Sequence, residues 1–196
     1  KRYGQLGNLK QMKLDKPDMQ IAVAGCLAQK DRDEIQARAG HVDVVFGTHN
    51  VHRAVELLDI ARTQGPVTEI LEAAARDDAL AFPSALPVRR ESDHAAWVTI
   101  QIGCDNNCAF CIVPAVRGPE VSRPFDQLVG EVAHLAREGI SEVTLLGQNV
   151  NSYGRDLAIN ARRAGEDVRL RPMFAKLLRT IGDIEGIQRI RYTSPH

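Results

Sequence analysis

The sequence has no run of apolar residues approaching the roughly 20 needed to span a bilayer. It has no net charge, with 25 Lys+Arg against 25 Asp+Glu, and no charged n-region followed by an apolar h-region at its start. The first lack excludes a membrane-spanning helix. The second excludes a protein coated in nucleic acid through a uniform positive field, leaving room only for a local basic face. The third makes the cytoplasm the default compartment. Internal repeats and low-complexity tracts are also missing. Cysteine is scarce, four in 196 residues, and unevenly placed: Cys104, Cys108 and Cys111 lie within eight residues while Cys26 stands far away. A disulfide scaffold would spread its cysteines to staple distant loops, so this pattern argues against one. The chain opens without Met and stops just after an apolar stretch, so both ends read as cuts.

What is present is ordinary globular composition, 44% hydrophobic and 26% charged, in a length that suits one large domain or two small ones. Residues 19–24 (MQIAVA) form a short apolar run that reads as a buried strand delivering Cys26 to a loop. Asp31 followed by Glu34 gives a capping-box-like helix start that Gly40 can terminate, and residues 42–46 (VDVVF) form a second strand closed by Gly47. Thr48 or Asn50 can cap the next helix, whose apolar positions Val51, Ala54, Val55, Leu58 and Ala61 keep helical spacing. This β-α-β-α series builds a parallel sheet. Residues 64–93 break the pattern with Gly65-Pro66, Pro83, Pro87 and six Asp/Glu against three Arg, and read as a linker between segments 1–63 and 94–196.

From Ala95 a strand-like alternation runs through Ile102 into Gly103 and the cysteines, and a helix is expected over 124–138, stopped by Gly139. A strand over 143–146, a long polar loop over 147–171, a helix over 172–181 and a strand over 187–192 complete a second α/β unit.

The thiols of Cys104, Cys108 and Cys111 are spaced by four and three residues directly after a strand, and a loop of that length can wrap three thiolates around one inorganic centre. Iron–sulfur cubanes take Cys thiolates at such spacings, usually four, and three would leave one iron open to chelate a small molecule. Zinc is the alternative, with His94 or His134 as a fourth ligand, and unligated thiols the third reading. His49 and His52 read as capping or surface residues. Taken alone, Cys26 reads as a buried small hydrophobe. Gln148 ends a strand at the sheet edge where parallel α/β enzymes collect ligand contacts. Arg117, Glu120 and Arg123 follow the cysteines and read either as ligand contacts or as ordinary salt bridges and helix-start charges. Thr193, Ser194 and His196 follow the last strand, at the same mouth or in a frayed end.

The Cys-x-x-x-Cys-x-aromatic-Cys pattern and its continuation Ile112-Val113-Pro114-Ala115-Val116-Arg117-Gly118-Pro119-Glu120-Val121-Ser122-Arg123-Pro124 resemble the radical SAM methylthiotransferase family. The resemblance extends to Ala24-Gly25-Cys26-Leu27-Ala28-Gln29, to Val45-Phe46-Gly47-Thr48-His49-Asn50 and to the segment from Leu145 to Gly154. Arg191-Tyr192-Thr193-Ser194-Pro195-His196 is similar to the branch that modifies tRNA rather than the branch acting on a ribosomal protein.

The resemblance implies a truncated flavodoxin-like N-terminal domain followed by the first part of a partial TIM-type barrel. It implies sulfur insertion and methyl transfer at the 2-position of an isopentenylated adenosine next to the anticodon. Cys104, Cys108 and Cys111 would hold a SAM-binding 4Fe-4S cluster that reduces S-adenosylmethionine to methionine and a 5′-deoxyadenosyl radical. Phe110 would lie near the SAM adenine or pack under the loop. Cys26 would ligate a second, auxiliary 4Fe-4S cluster whose other two ligands precede residue 1, so the chain alone is expected to be inactive. The implied partners are tRNA, a reducing electron donor and a sulfur source, acting on a full-length monomer in the cytoplasm. Residues 155–196 hold nine Lys/Arg against five Asp/Glu, a local excess suited to phosphate. A metal-binding or interaction module without catalysis is the competing class.

Overall fold

The computed structural model describes residues 2–72 and 92–195. The chain divides into two compact units, Lys1–Ala81 with Ala115–Arg117, and Phe82–Pro114 with Gly118–His196.

The first unit contains helix α1 (Arg2–Asp15), strand β1 (Ala22–Ala24), helices α2 (Cys26–Asp31) and α3 (Glu34–Arg38), strand β2 (Val44–Phe46), a 3-10 turn at Val51–Arg53, helix α4 (Ala54–Gln64) and strand β3 (Val67–Glu69). The strands pair in parallel in the order β1-β2-β3, with Ala24 opposite Phe46 and Phe46 opposite Glu69. Successive side chains of a strand point to opposite faces, and β2 buries both. Val45 joins Leu6, Ile21, Ala28, Ile35 and Val42 in one core, while Val44 and Phe46 join Leu57 and Ala61 of α4 in another. A sheet covered on both faces is what makes β2, Val44–Phe46, uniformly apolar.

Several local expectations are corrected here. Asp31 closes α2 and accepts a hydrogen bond from the Tyr3 hydroxyl at 2.8 Å, and no side chain caps α3, so the capping box does not form. Asn50 makes no side-chain cap. Its amide donates instead to the Glu69 carbonyl and carboxylate, both at 2.9 Å, tying the turn after β2 to β3. That strand lies inside the stretch expected to be linker: Gly65-Pro66 ends α4 and the chain then adds a third parallel strand. The remainder of the expected linker, residues 73–91, lies outside the described residues. Helix α1, with its weak apolar periodicity, joins the core through Leu6, with Tyr3 and Leu9 packed against it, and Lys13 Nζ reaches both Asp43 carboxylate oxygens at 2.6 Å.

The second unit contains β4 (Ala95–Thr99), β5 (Gln101–Ile102), α5 (Val113–Arg117, which crosses the unit boundary), β6 (Val121–Ser122), α6 (Phe125–Arg137), β7 (Glu142–Leu146), a 3-10 turn (Val150–Ser152), α7 (Arg155–Arg163), α8 (Phe174–Gly182) and β8 (Arg189–Tyr192). Strands β4, β7 and β8 pair in parallel in that order, with Trp97 opposite Thr144 and Thr144 opposite Arg191. The alternation divides the sheet. Ala96, Val98, Val143 and Leu145 pack with Leu128, Val132 and Leu135 of α6 and Leu177 and Ile181 of α8, each fully buried Leu or Val contributing about 1.5–3 kcal/mol. Trp97 on the opposite face is 76% exposed.

The apolar run from Ala95 to Ile102, read as one strand, is two. Ile100 breaks it, donating its N–H to Leu146 and accepting from the Arg123 N–H, after which β5 turns to pair antiparallel with β6. The expected polar loop over 147–171 holds the 3-10 turn and α7; Gly154, at φ 82, opens the helix, and Ala158 buries its inner side.

Candidate functional site

The cysteine loop leaves the sheet at a point where no side chain fits. Gly103 adopts φ 76, and a Cβ there would lie 2.0 Å from the Pro119 carbonyl oxygen. The backbone therefore lies directly against the returning segment 118–122. Gln101 pairs with Ser122 and Ile102 with Val121, and beyond the strand the Cys104 N–H reaches the Gly118 carbonyl at 3.2 Å. Cys104 is 7% exposed at the foot of the loop, and the Asn106 N–H points at its sulfur, 3.5 Å away. Cys108 and Cys111 are exposed on a turn closed by the Cys111 N–H to the Cys108 carbonyl. No disulfide joins any of the four cysteines. Among the described residues, no three His, Cys, Asp or Glu side chains are gathered as a metal-holding group.

The segment after the loop is anchored by buried polar groups. The Asp105 carboxylate accepts the Glu120 N–H at 2.9 Å. The Glu120 side chain, buried, accepts a hydrogen bond from the Ser152 hydroxyl. Burial pushes its carboxyl above the ordinary range; the Ser152 bond opposes this, and the charges of Asp156 and Asp105 add to it. Asp156, in the first turn of α7, accepts the Ser122 N–H at 2.8 Å, and the Ser122 hydroxyl accepts the Gly154 N–H at 2.9 Å. Tyr153 is fully buried and donates to the Arg123 carbonyl at 2.9 Å; burial, first of several causes, raises its pKa.

Arg123 itself is buried, donating to the Thr99 carbonyl at 3.2 Å and pairing with Glu131 of α6 at 2.6 Å. Arg117 is the last residue of α5 and half-buried. Phe110 is fully exposed, so it does not pack under the loop.

At the C-terminal edge of β7, Gln101 is completely buried and its amide donates to the Asn149 carbonyl at 2.8 Å. Among the described residues, its Oε1, with Gln148 Oε1, Asn149 Oδ1 and Asp156 Oδ1, is a buried acceptor without a hydrogen-bond partner. A buried acceptor left so costs about 1–3 kcal/mol, so each calls for a donor from a water, an ion or a ligand. The sequence singles out Gln148 by its place at a strand end. Gln101, Asn149, Ser152 and Asp156 are not singled out: the alternation of Val98, Ile100 and Ile102 puts Gln101 on the polar side of the run, and its burial follows from the break at Ile100.

The remaining candidates are dispersed. Cys26 is half-buried as the first residue of α2, after Gly25 at φ 86. His49 is buried, contrary to the surface reading, and His52 sits in the 3-10 turn. His94 pairs with the Ser92 hydroxyl at 3.1 Å and His134 with Glu138 at 3.4 Å. Thr193 and Ser194 continue the line of β8, the Thr193 N–H donating to Leu145 and the Ser194 carbonyl accepting from Val150; His196 lies outside the described residues.

Residues 98–196 match the Radical SAM superfamily, and residues 1–47 match the Uncharacterized protein family UPF0004. The tRNA-2-methylthio-N(6)-dimethylallyladenosine synthase of Streptomyces coelicolor is 53% identical over 196 residues, all of this chain and 36% of its own length. Proteins of the same name from Nocardia farcinica and Thermobifida fusca are each 53% identical, over 197 and 195 residues, covering 37% and 36% of their lengths. The chain thus spans about a third of the length of the curated relatives it matches.

Proposed function

Because the chain belongs to the radical SAM superfamily, we propose that it is part of a methylthiotransferase that inserts sulfur and adds a methyl group at the 2-position of an isopentenylated adenosine next to the anticodon of tRNA. The observation that carries this reading is the loop bearing Cys104, Cys108 and Cys111 at the end of a strand in a parallel α/β unit. The printed name of the 53%-identical relatives supports the tRNA substrate. In this reading the first unit is part of a flavodoxin-like domain and the second the opening of a partial TIM-type barrel.

The donor set fits a 4Fe-4S cluster. Three thiols, none in a disulfide, lie on one loop, and an amide N–H already faces the buried one. Cys104, Cys108 and Cys111 would hold the cluster. When bound, it supplies the electron that cleaves S-adenosylmethionine reductively. The chain's own part is to bind, orient and shield. Gln148, with Gln101 and Asn149, offers buried acceptors to the ammonium and hydroxyl donors of S-adenosylmethionine. The exposed Phe110 ring is available to its adenine, Glu120 and Arg117 are candidates for its polar groups, and Arg123 holds the scaffold. Cys26 would supply one thiolate to an auxiliary cluster completed by residues outside these 196.

Arg162, Arg163, Arg169 and Arg171, all exposed, support a phosphate-binding face. An electron donor and a sulfur source complete the partners of an enzyme we place in the cytoplasm as a monomer. No helix of the described residues is long and apolar enough to cross a membrane.

The full-length protein, reconstituted anaerobically and reduced, is expected to convert S-adenosylmethionine to 5′-deoxyadenosine and methionine, and Cys108→Ala to abolish this. Absence of cleavage in the wild type would contradict the reading. Product analysis on tRNA and on ribosomal protein in parallel distinguishes the two branches.

A further inference from the structure

Two hydrogen bonds meet at one residue of the cysteine loop. The Asp105 carboxylate accepts the N–H of Glu120, a buried residue of the returning segment, at 2.9 Å. The peptide that follows Asp105 directs its N–H, on Asn106, at the Cys104 sulfur, 3.5 Å away. The scaffold beneath is rigid, because Gly103 lies against Pro119, Glu120 is tied to Ser152, and Ser122 is tied to Asp156 and Gly154. Asp105 is otherwise solvent-exposed, and beyond the Cys104 N–H to the Gly118 carbonyl its carboxylate's bond to Glu120 ties the loop to that scaffold. Removing it leaves a buried donor unpaired and frees the 105–106 peptide to turn away from the sulfur.

We propose that Asp105 is a positioning residue for the cluster: by docking on Glu120 it holds the Asn106 N–H on the sulfur of Cys104 and so sets the cluster's reduction potential. A hydrogen bond donated to a ligating sulfur stabilises the more negative, reduced state and raises the potential. This rests on the proposed cluster at Cys104, Cys108 and Cys111.

The test compares Asp105→Ala with Asp105→Asn in the full-length protein. Both remove the charge, and only Asn keeps an oxygen for the Glu120 N–H. In the metal-free protein, amide exchange at Glu120 and Asn106 is expected to be faster in Asp105→Ala than in Asp105→Asn. After anaerobic reconstitution, the cluster of Asp105→Ala is expected to titrate at a more negative midpoint than that of Asp105→Asn.

Equal exchange in the two variants overturns the docking. Different exchange with equal midpoints, or a more positive midpoint for Asp105→Ala, overturns the effect on the cluster. A wild type that takes up no iron overturns the cluster reading and this inference with it, whereas normal iron with equal midpoints overturns the inference alone.

Discussion

Cys26 and Cys104 are delivered in the same local way and supported in opposite ways. Each follows a short strand and a glycine in the left-handed region, φ 86 at Gly25 and φ 76 at Gly103. At Gly25 the space a Cβ would enter is open, and Cys26 goes straight into the six-residue α2. At Gly103 that space is filled by the Pro119 and Gly118 carbonyls, and Cys104 begins a loop clamped to a returning segment. A Gly-Cys pair at a strand end therefore fixes where a thiol emerges and not what is built around it. The clamp belongs to the region that carries three thiols, and the region with one does without it.

Replacing the two glycines by Ala is the strongest attempt to break this contrast. Gly103→Ala adds a backbone clash to left-handed strain and is expected to cost about 3 kcal/mol or more, with loss of cluster binding. Gly25→Ala meets only the strain, about 1–2 kcal/mol. Chemical denaturation of both variants checks this, and equal costs would remove the distinction.

Next in size is Arg123→Ala, which breaks the buried pair with Glu131 beneath the returning segment and is expected to cost about 3 kcal/mol. Arg123→Lys should lower stability with little change in the KM for S-adenosylmethionine. A raised KM at unchanged stability would return Arg123 to the ligand contacts.

The smallest effect concerns Glu120. Its carboxyl is held above the ordinary range in the folded chain, mainly by burial, so folding binds its proton more tightly. The stability this contributes is fully present below the unfolded carboxyl's pKa and is lost as pH rises through the folded one. Glu120→Gln should therefore gain stability relative to wild type as pH rises from acid toward neutral. Parallel pH profiles would contradict that sign.

Periodic burial made much of the fold legible. The VDVVF run, helix α4, helix α6 with its buried Leu128, Val132 and Leu135, and helix α8 with Leu177 and Ile181 all announce themselves in the sequence. Elements without a clear apolar period did not. In α1, Leu6 is buried among largely exposed neighbours, α7 is mostly charged and polar, and β3 hides behind Gly65-Pro66. Asn50 looked like a helix cap because capping is local, while its actual partner, Glu69, is 19 residues away.

The site divides along the same line. The cysteine spacing and the strand-end Gln148 are local patterns. The bonds of Glu120 to Ser152 and of Ser122 to Asp156 span 32 and 34 residues, and no sequence period records such pairs.

The most direct measurement is the iron content and EPR spectrum of this chain after anaerobic reconstitution, as wild type and as Cys26→Ala. The account predicts about four irons per chain in both, from cubane stoichiometry, with a reduced signal that changes when S-adenosylmethionine is added. Stoichiometric zinc in place of iron, or a cluster lost with Cys26, would contradict it.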